Sequence, residues 1–241
     1  MGAVTLTGMV LSSSNIDEAD KRLVILTKER GKVTAFVKGA KRPQSPLAAA
    51  SNPFCFGTFT AYEGKNYHIT RAEISNYFTE ISADYDKVCL GSYFLEVAAY
   101  ESVENVEEKE RLLLLFCAIR ELAKDKMPRE LIRDVYELRS MAISGEYPNV
   151  FACVNCGRKD LLSHFAMGLR GCLCPDCSNK LGGVMIEKSV LYAMQYIITS
   201  PMNKLFSFEL KPEVLEELTR IISGYRLNFD HHKYKTLEFL Q

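Results

Sequence analysis

The sequence predicts an α+β protein of more than one domain: an N-terminal five-stranded β-barrel, followed by an all-α domain that carries a four-cysteine insert. Three observations lead there. Short apolar–polar alternations with turn residues between them fill residues 3 to about 75, helical periodicity takes over from about Asn76, and two C-x-x-C pairs interrupt the helical part. The expected division is residues 1–80 for the barrel, 81–150 with 181–241 for a helical domain discontinuous in sequence, and 151–180 for the insert.

Residues 3 to 10, "AVTLTGMV", alternate as a strand does. "RLVILTKERGKVTAFVKG" gives two β-rich runs joined at Glu29, Arg30 and Gly31, a hairpin. "FCFGTFTAYEGKNYHITRAEI" gives two more around Glu63, Gly64, Lys65 and Asn66. Five short strands in that length suit a small closed barrel, of which the OB-fold is the five-stranded form; a small sandwich is the alternative.

Beyond Asn76, "YFLEVAAYESV", "EEKERLLLLFCAIRELAKD" and "PRELIRDVYELRSMAISG" place apolar residues at helical spacing, as at Leu131, Val135, Leu138 and Met141. Pro128 suits a first helical turn, and Gly145 followed by Pro148 marks a stop. After the insert, "EKSVLYAMQYIITS" and "PEVLEELTRIISGY" resume the pattern, with Val214, Leu215, Leu218, Ile221, Ile222 and Tyr225 on one face.

At 241 residues and 25% charged side chains the composition is that of a globular chain that builds its core without cross-links. The longest apolar run, Leu112 to Ile119, is far short of the roughly 18 residues a membrane span requires. No basic start followed by an apolar stretch marks a secretory signal, so a cytoplasmic location is expected, where the eight cysteines read as thiols or metal ligands.

Net charge is zero, but its distribution is uneven. From Lys21 to Arg42 the chain has eight cations (Lys21, Arg22, Lys28, Arg30, Lys32, Lys38, Lys41, Arg42) against one acid, Glu29. That density suits a polyanion-facing surface; a solvated strand edge guarded by lysines is the plainer explanation. In "KVTAFVK", alternation puts Val33, Ala35 and Val37 on the inner side and Lys32, Thr34, Phe36 and Lys38 on the outer. An aromatic between lysines fits single-stranded nucleic acid, with bases on the ring and phosphates on the ammonium groups. Packing of Phe36 against the helical domain is the other reading, and Tyr62 and Tyr67, flanking Lys65, carry the same pair of readings. In the loop "VKGAKRPQSP", Lys38, Lys41 and Arg42 can track a phosphate backbone while Gly39, Pro43 and Pro46 shape the chain. The expected nucleic-acid contacts are Arg22, Lys32, Phe36, Lys38, Lys41 and Arg42.

Cys153 and Cys156 are separated from Cys174 and Cys177 by seventeen residues, the spacing of a structural zinc site. Two knuckles, "CVNCG" and "CPDCS", would close a four-thiolate tetrahedron with no open coordination position, so the ion would fold the insert and activate no water. Cys172 is a spare thiol or a substitute ligand, His164 a further candidate ligand, and Cys55, Cys89 and Cys117 read as core fillers. No P-loop, G-x-G-x-x-G, G-x-S-x-G or H-E-x-x-H pattern is present. The adjacent His231 and His232 read as surface or domain-contact residues, and the expectation is a protein that is not an enzyme.

With "DKRLVILTKERGKVTAFVKGAKRP", "YELRSMAISGEYPNVFACVNCG" and the terminal "LEFL" in this order, the whole chain resembles the bacterial RecO family of DNA repair proteins, in its zinc-bearing form. The resemblance implies a non-catalytic recombination mediator, nucleoid-associated during repair. It would bind single-stranded DNA, anneal complementary strands, contact the single-strand binding protein SSB and work with RecR to load RecA. A zinc-stabilised OB-fold module that binds RNA is the alternative from another class, since the barrel face alone does not separate DNA from RNA. A metal-dependent nuclease is a third, for which the sequence offers no carboxylate cluster.

Overall fold

Strands β1 (Ala3–Asn15), β2 (Lys21–Thr27), β3 (Gly31–Val37), β4 (Phe56–Glu63) and β5 (Tyr67–Asn76) close a barrel in the order β1-β2-β3-β5-β4 in the computed structural model, which describes residues 2–230 and 232–240. β1 is long enough to pair with both β2 and β4, and a bulge between Val10 and Ser12 bends it between the two. The barrel shuts where β3 meets β5 in a short parallel pairing, Ala35 with Tyr67 and Phe36 with His68. This is the OB-fold arrangement, so the barrel holds and the sandwich does not. Leu6, Val10, Leu23, Ile25, Val33, Ala35, Val37, Phe59, Ala61 and Ile69 fill it. The inward set of β3 is the one expected from alternation. Gly31 opens that strand with φ +60°, and a Cβ there would lie 2.0 Å from the Val103 carbonyl oxygen, so the turn admits glycine alone.

By packing, the chain divides into two units: the residues up to Lys124 together with those from Tyr234 onward, and Asp125–Lys233. The first unit adds α1 (Thr79–Ser82), α2 (Tyr85–Glu101) and α3 (Lys109–Lys124) to the barrel. α2 begins at Asp84, whose carboxylate accepts the Lys87 N–H at 3.0 Å. α3 buries Leu112, Leu114, Leu115, Ile119 and Leu122, and its Phe116 ring meets Phe56 of β4 at 4.5 Å. The packing division falls after α3, because α2 and α3 cover barrel surface. The final segment, a 3₁₀ turn at Lys235–Phe239, belongs to the same unit. Glu96 on α2 accepts the backbone N–H groups of Lys235 and Thr236 at 3.0 and 2.9 Å, and Tyr234 lies edge-on to Tyr93 and Tyr100.

The second unit holds α4 (Arg129–Ser144), β6 (His164–Ala166), β7 (Gly171–Leu173), α5 (Pro175–Leu181), β8 (Val184–Met185), α6 (Lys188–Thr199) and α7 (Pro212–Phe229). α4 starts after Pro128 and stops at Gly145, which takes φ +76° as a left-handed cap. α4, α6 and α7 pack on one another through Leu131, Val135, Leu138, Val190, Met194, Ile197, Leu218, Ile221 and Ile222, all buried. The insert adds a three-stranded sheet in the order β7-β6-β8. It seats on α7: Phe165 meets Tyr225 at 6.4 Å, and the Arg170 guanidinium lies over Phe229 at 4.1 Å. Among the described residues no helix is long and apolar enough to cross a membrane.

Candidate nucleic-acid face and metal centre

The loop after β3 is built from successive turns. Arg42 N–H donates to the Gly39 carbonyl at 3.1 Å, Ser45 N–H to Arg42 at 2.9 Å and Ala48 N–H to Ser45 at 3.1 Å, so the loop has a defined course. Gly39 takes φ +67°. The β1–β2 turn fixes the loop's base: the Asp20 carboxylate accepts the Gly39 N–H at 2.8 Å, and the Ala19 carbonyl accepts the Lys41 N–H at 2.9 Å. Lys38, Lys41 and Arg42 are exposed beyond this anchor. Asp20 is a positioning residue that the charge pattern did not single out; its only sequence signal was an Asp beside a strand start.

Arg22 and Phe36 are register partners on β2 and β3, Arg22 exposed and Phe36 half-buried. Lys32 is elsewhere. Its ammonium donates to the Ala99 carbonyl at 2.7 Å, one of the carbonyls that the end of α2 leaves without a helical partner. The structure thus groups Arg22, Phe36, Lys38, Lys41 and Arg42 toward one end of the strands and ties Lys32 to a helix terminus at the other.

In the insert, Cys153, Cys156, Cys174 and Cys177 bring their sulfurs within 4.8 Å of one another. The first knuckle turns through Gly157, whose N–H donates to the Cys153 carbonyl at 2.9 Å with φ +76°. The second opens α5: Pro175 occupies its first turn, and the Cys174 carbonyl accepts from Ser178 N–H at 2.9 Å. Cys156 Sγ and Cys174 Sγ are 3.8 Å apart. That is about the edge of a tetrahedron with ~2.3 Å metal–sulfur bonds, so the donor set and its spacing fit a metal ion. The Asn155 amide donates to Cys177 Sγ at 3.2 Å, and Arg158 bridges the knuckles to Asp176 at 2.9 Å. Cys172 lies on β7 outside the group, fully buried, and burial pushes its thiol up to about 12. His164 is also outside it, its ring nitrogen Nδ1 sharing a hydrogen with Ser163 Oγ at 2.9 Å. Cys55, Cys89 and Cys117 are buried, and burial raises the thiols of Cys55 and Cys117. His231 lies outside the described residues; the His232 N–H donates to Asp230 at 3.0 Å.

Models of two families match this chain, Recombination protein O N terminal over residues 1–78 and Recombination protein O C terminal over residues 82–235. The chain belongs to the RecO family. The DNA repair protein RecO of Acetivibrio thermocellus is 30% identical over 245 residues, covering 100% of this chain and 97% of that protein. The RecO proteins of Symbiobacterium thermophilum and Clostridium perfringens are each 28% identical, over 247 and 245 residues, again along 100% of this chain. Family membership gives this chain a role in DNA repair and recombination. The boundary between the two family models, at residues 78 to 82, follows the end of β5.

Proposed function

We propose that this RecO-family protein is a recombination mediator. It binds single-stranded DNA on its barrel, anneals complementary strands without nucleotide hydrolysis and, with RecR, helps load RecA onto SSB-coated DNA. The observation that carries the reading is the turn-built basic loop. It presents Lys38, Lys41 and Arg42 beside the outward Arg22 and Phe36, with Asp20 fixing its base.

Annealing is downhill once phosphate repulsion is reduced. Cations that track the backbone lower that repulsion, and an aromatic beside them holds bases unpaired and accessible. No nucleotide cycle has to drive the step. Zinc is the ion proposed for the four cysteines, since a four-thiolate set with knuckle spacing suits it and leaves no open coordination position. Its contribution is to fold the insert; the protein works in the cytoplasm, at the nucleoid during repair. The reading comes from the barrel face together with the family, and contacts with SSB, RecR and RecA come from the family resemblance.

Gel shifts test it, using matched single-stranded DNA and RNA, bare and SSB-coated, with and without RecR. Preference for DNA and a RecR-dependent complex on coated strands support the mediator. Preference for RNA and no effect of RecR would support an RNA-binding module in its place.

A further inference from the structure

Of the eight cysteines, all among the described residues, Cys156 alone is exposed. Its companions Cys153, Cys174 and Cys177 are 2%, 0% and 7% exposed, so a reagent in water reaches the four-sulfur group at one atom. The others are held from behind. Cys153 N–H donates to the Arg158 carbonyl at 2.7 Å, Val154 N–H to the Cys172 carbonyl at 2.9 Å, and Cys177 Sγ accepts the Asn155 amide at 3.2 Å. Cys174 Sγ, on the opposite knuckle, lies 3.8 Å from Cys156 Sγ. A second tie spans the same gap: the guanidinium of Arg158, just after Cys156, meets the carboxylate of Asp176, just after Cys174, at 2.9 Å.

We propose that Cys156 is a peroxide-reactive modification site with Cys174 as its resolving partner, and that oxidation exchanges the zinc of the insert for a reversible disulfide between the knuckles. The site rests on the four-thiolate zinc reading above and adds what those sulfurs do toward an oxidant. The co-reactant is a hydroperoxide, in the simplest case hydrogen peroxide. The Cys156 thiolate attacks one peroxide oxygen: an S–O bond forms, the O–O bond breaks, and the departing oxygen takes a proton and leaves as water or alcohol. The Cys174 thiolate then attacks the Cys156 sulfur. The S–S bond forms, the S–O bond breaks, and the hydroxide that leaves takes a proton. Two thiolates thus give two electrons to one peroxide. Closing 3.8 Å to the ~2.05 Å of a disulfide is a shift of under about 2 Å, between knuckles that Arg158 and Asp176 already join. Cys153 and Cys177 remain, too few thiolates to complete a structural zinc site, and the ion is released.

Zinc-loaded protein is treated with hydrogen peroxide while a chromogenic chelator reads released metal, and mass spectrometry after alkylation maps the cysteines. Cys156 should be modified at least about tenfold faster than Cys55, Cys89, Cys117 or Cys172, because susceptibility follows thiolate character and exposure. About one zinc should leave for each Cys156–Cys174 disulfide formed, and dithiothreitol with added zinc should restore the starting state. Cys172→Ser, which leaves the four-sulfur group whole, should release zinc as the parent does. Zinc that stays bound while peroxide oxidises other cysteines would overturn the site and leave the zinc reading standing. A disulfide joining Cys153 to Cys156, or release lost in Cys172→Ser, would overturn the pairing with Cys174. Parent protein that carries no metal when prepared without chelator would sink the zinc reading and the reactive site together.

Discussion

The Asp20 carboxylate accepts the Gly39 N–H at 2.8 Å, so an acid in the β1–β2 turn fixes the base of the basic loop. A charge-assisted bond of this kind is worth roughly 1.5–3 kcal/mol where solvent is partly excluded, enough to order a loop. Asp20→Ala should therefore weaken single-stranded DNA binding several-fold while the salt slope holds, since no cation is lost. Anisotropy against salt concentration measures it; binding that tightens, most at low salt, would mean that Asp20 acts as an opposing charge.

The same turn carries two further acids. Asp17 and Glu18 precede Asp20, and the Lys41 ammonium donates to the Asp17 backbone carbonyl at 3.4 Å, so both belong to the turn that meets the loop. Asp17→Asn/Glu18→Gln should tighten binding a few-fold and most at low salt, where screening is weakest. An affinity unchanged at low salt would show that these carboxylates face away from the DNA.

Much of this was legible in the sequence, for a physical reason. Alternation in "KVTAFVK" reports a strand with one buried face, and that face is buried as expected. The C-x-x-C spacing reports two knuckles because few backbone paths bring four sulfurs together. Closure of the barrel was harder to read: the β3–β5 pairing joins residues distant in sequence, so nothing local marks His68 as the neighbour of Phe36. The partner of Lys32 was hidden for a related reason. Its outward direction was readable, whereas the α2 carbonyl that takes its ammonium comes from 67 residues away. The packing of α2 and α3 on the barrel was hidden too, since helical periodicity shows that a face is buried and not what buries it.

Removing the metal should affect the second unit selectively. Purified protein should carry about one zinc per chain, and Cys174→Ser should lose it and expose residues 151–180 to proteolysis with the barrel intact. Cys172→Ser should keep the ion, because Cys172 lies outside the sulfur group. Elemental analysis decides both, and less than about half an equivalent in the parent protein, prepared without chelator, would contradict the assignment.

Asp134 of α4 is a buried carboxyl that costs stability at high pH. Burial pushes it up to about 7; the Thr219 hydroxyl, donating at 2.6 Å, opposes the rise, and the Glu137 and Glu130 carboxylates add to it against Arg133. Between the unfolded value near 4 and about 7 the folded chain holds the extra proton, so stability falls as pH rises through that window. Asp134→Asn should be more stable than the parent at pH 8, by on the order of 2–4 kcal/mol, with the advantage shrinking toward pH 5. Denaturant midpoints at the two pH values test this, and a pH-independent difference would contradict it.

Nucleotide-free pairing of SSB-coated strands is measured by following fluorescence as complementary oligonucleotides coated with the cognate SSB anneal. The protein should accelerate pairing without ATP, and Lys41→Ala/Arg42→Ala should slow it, the variant's binding losing about 0.7 of salt slope for each phosphate contact removed. Pairing no faster than with SSB alone, at every protein ratio and at low salt, would contradict it.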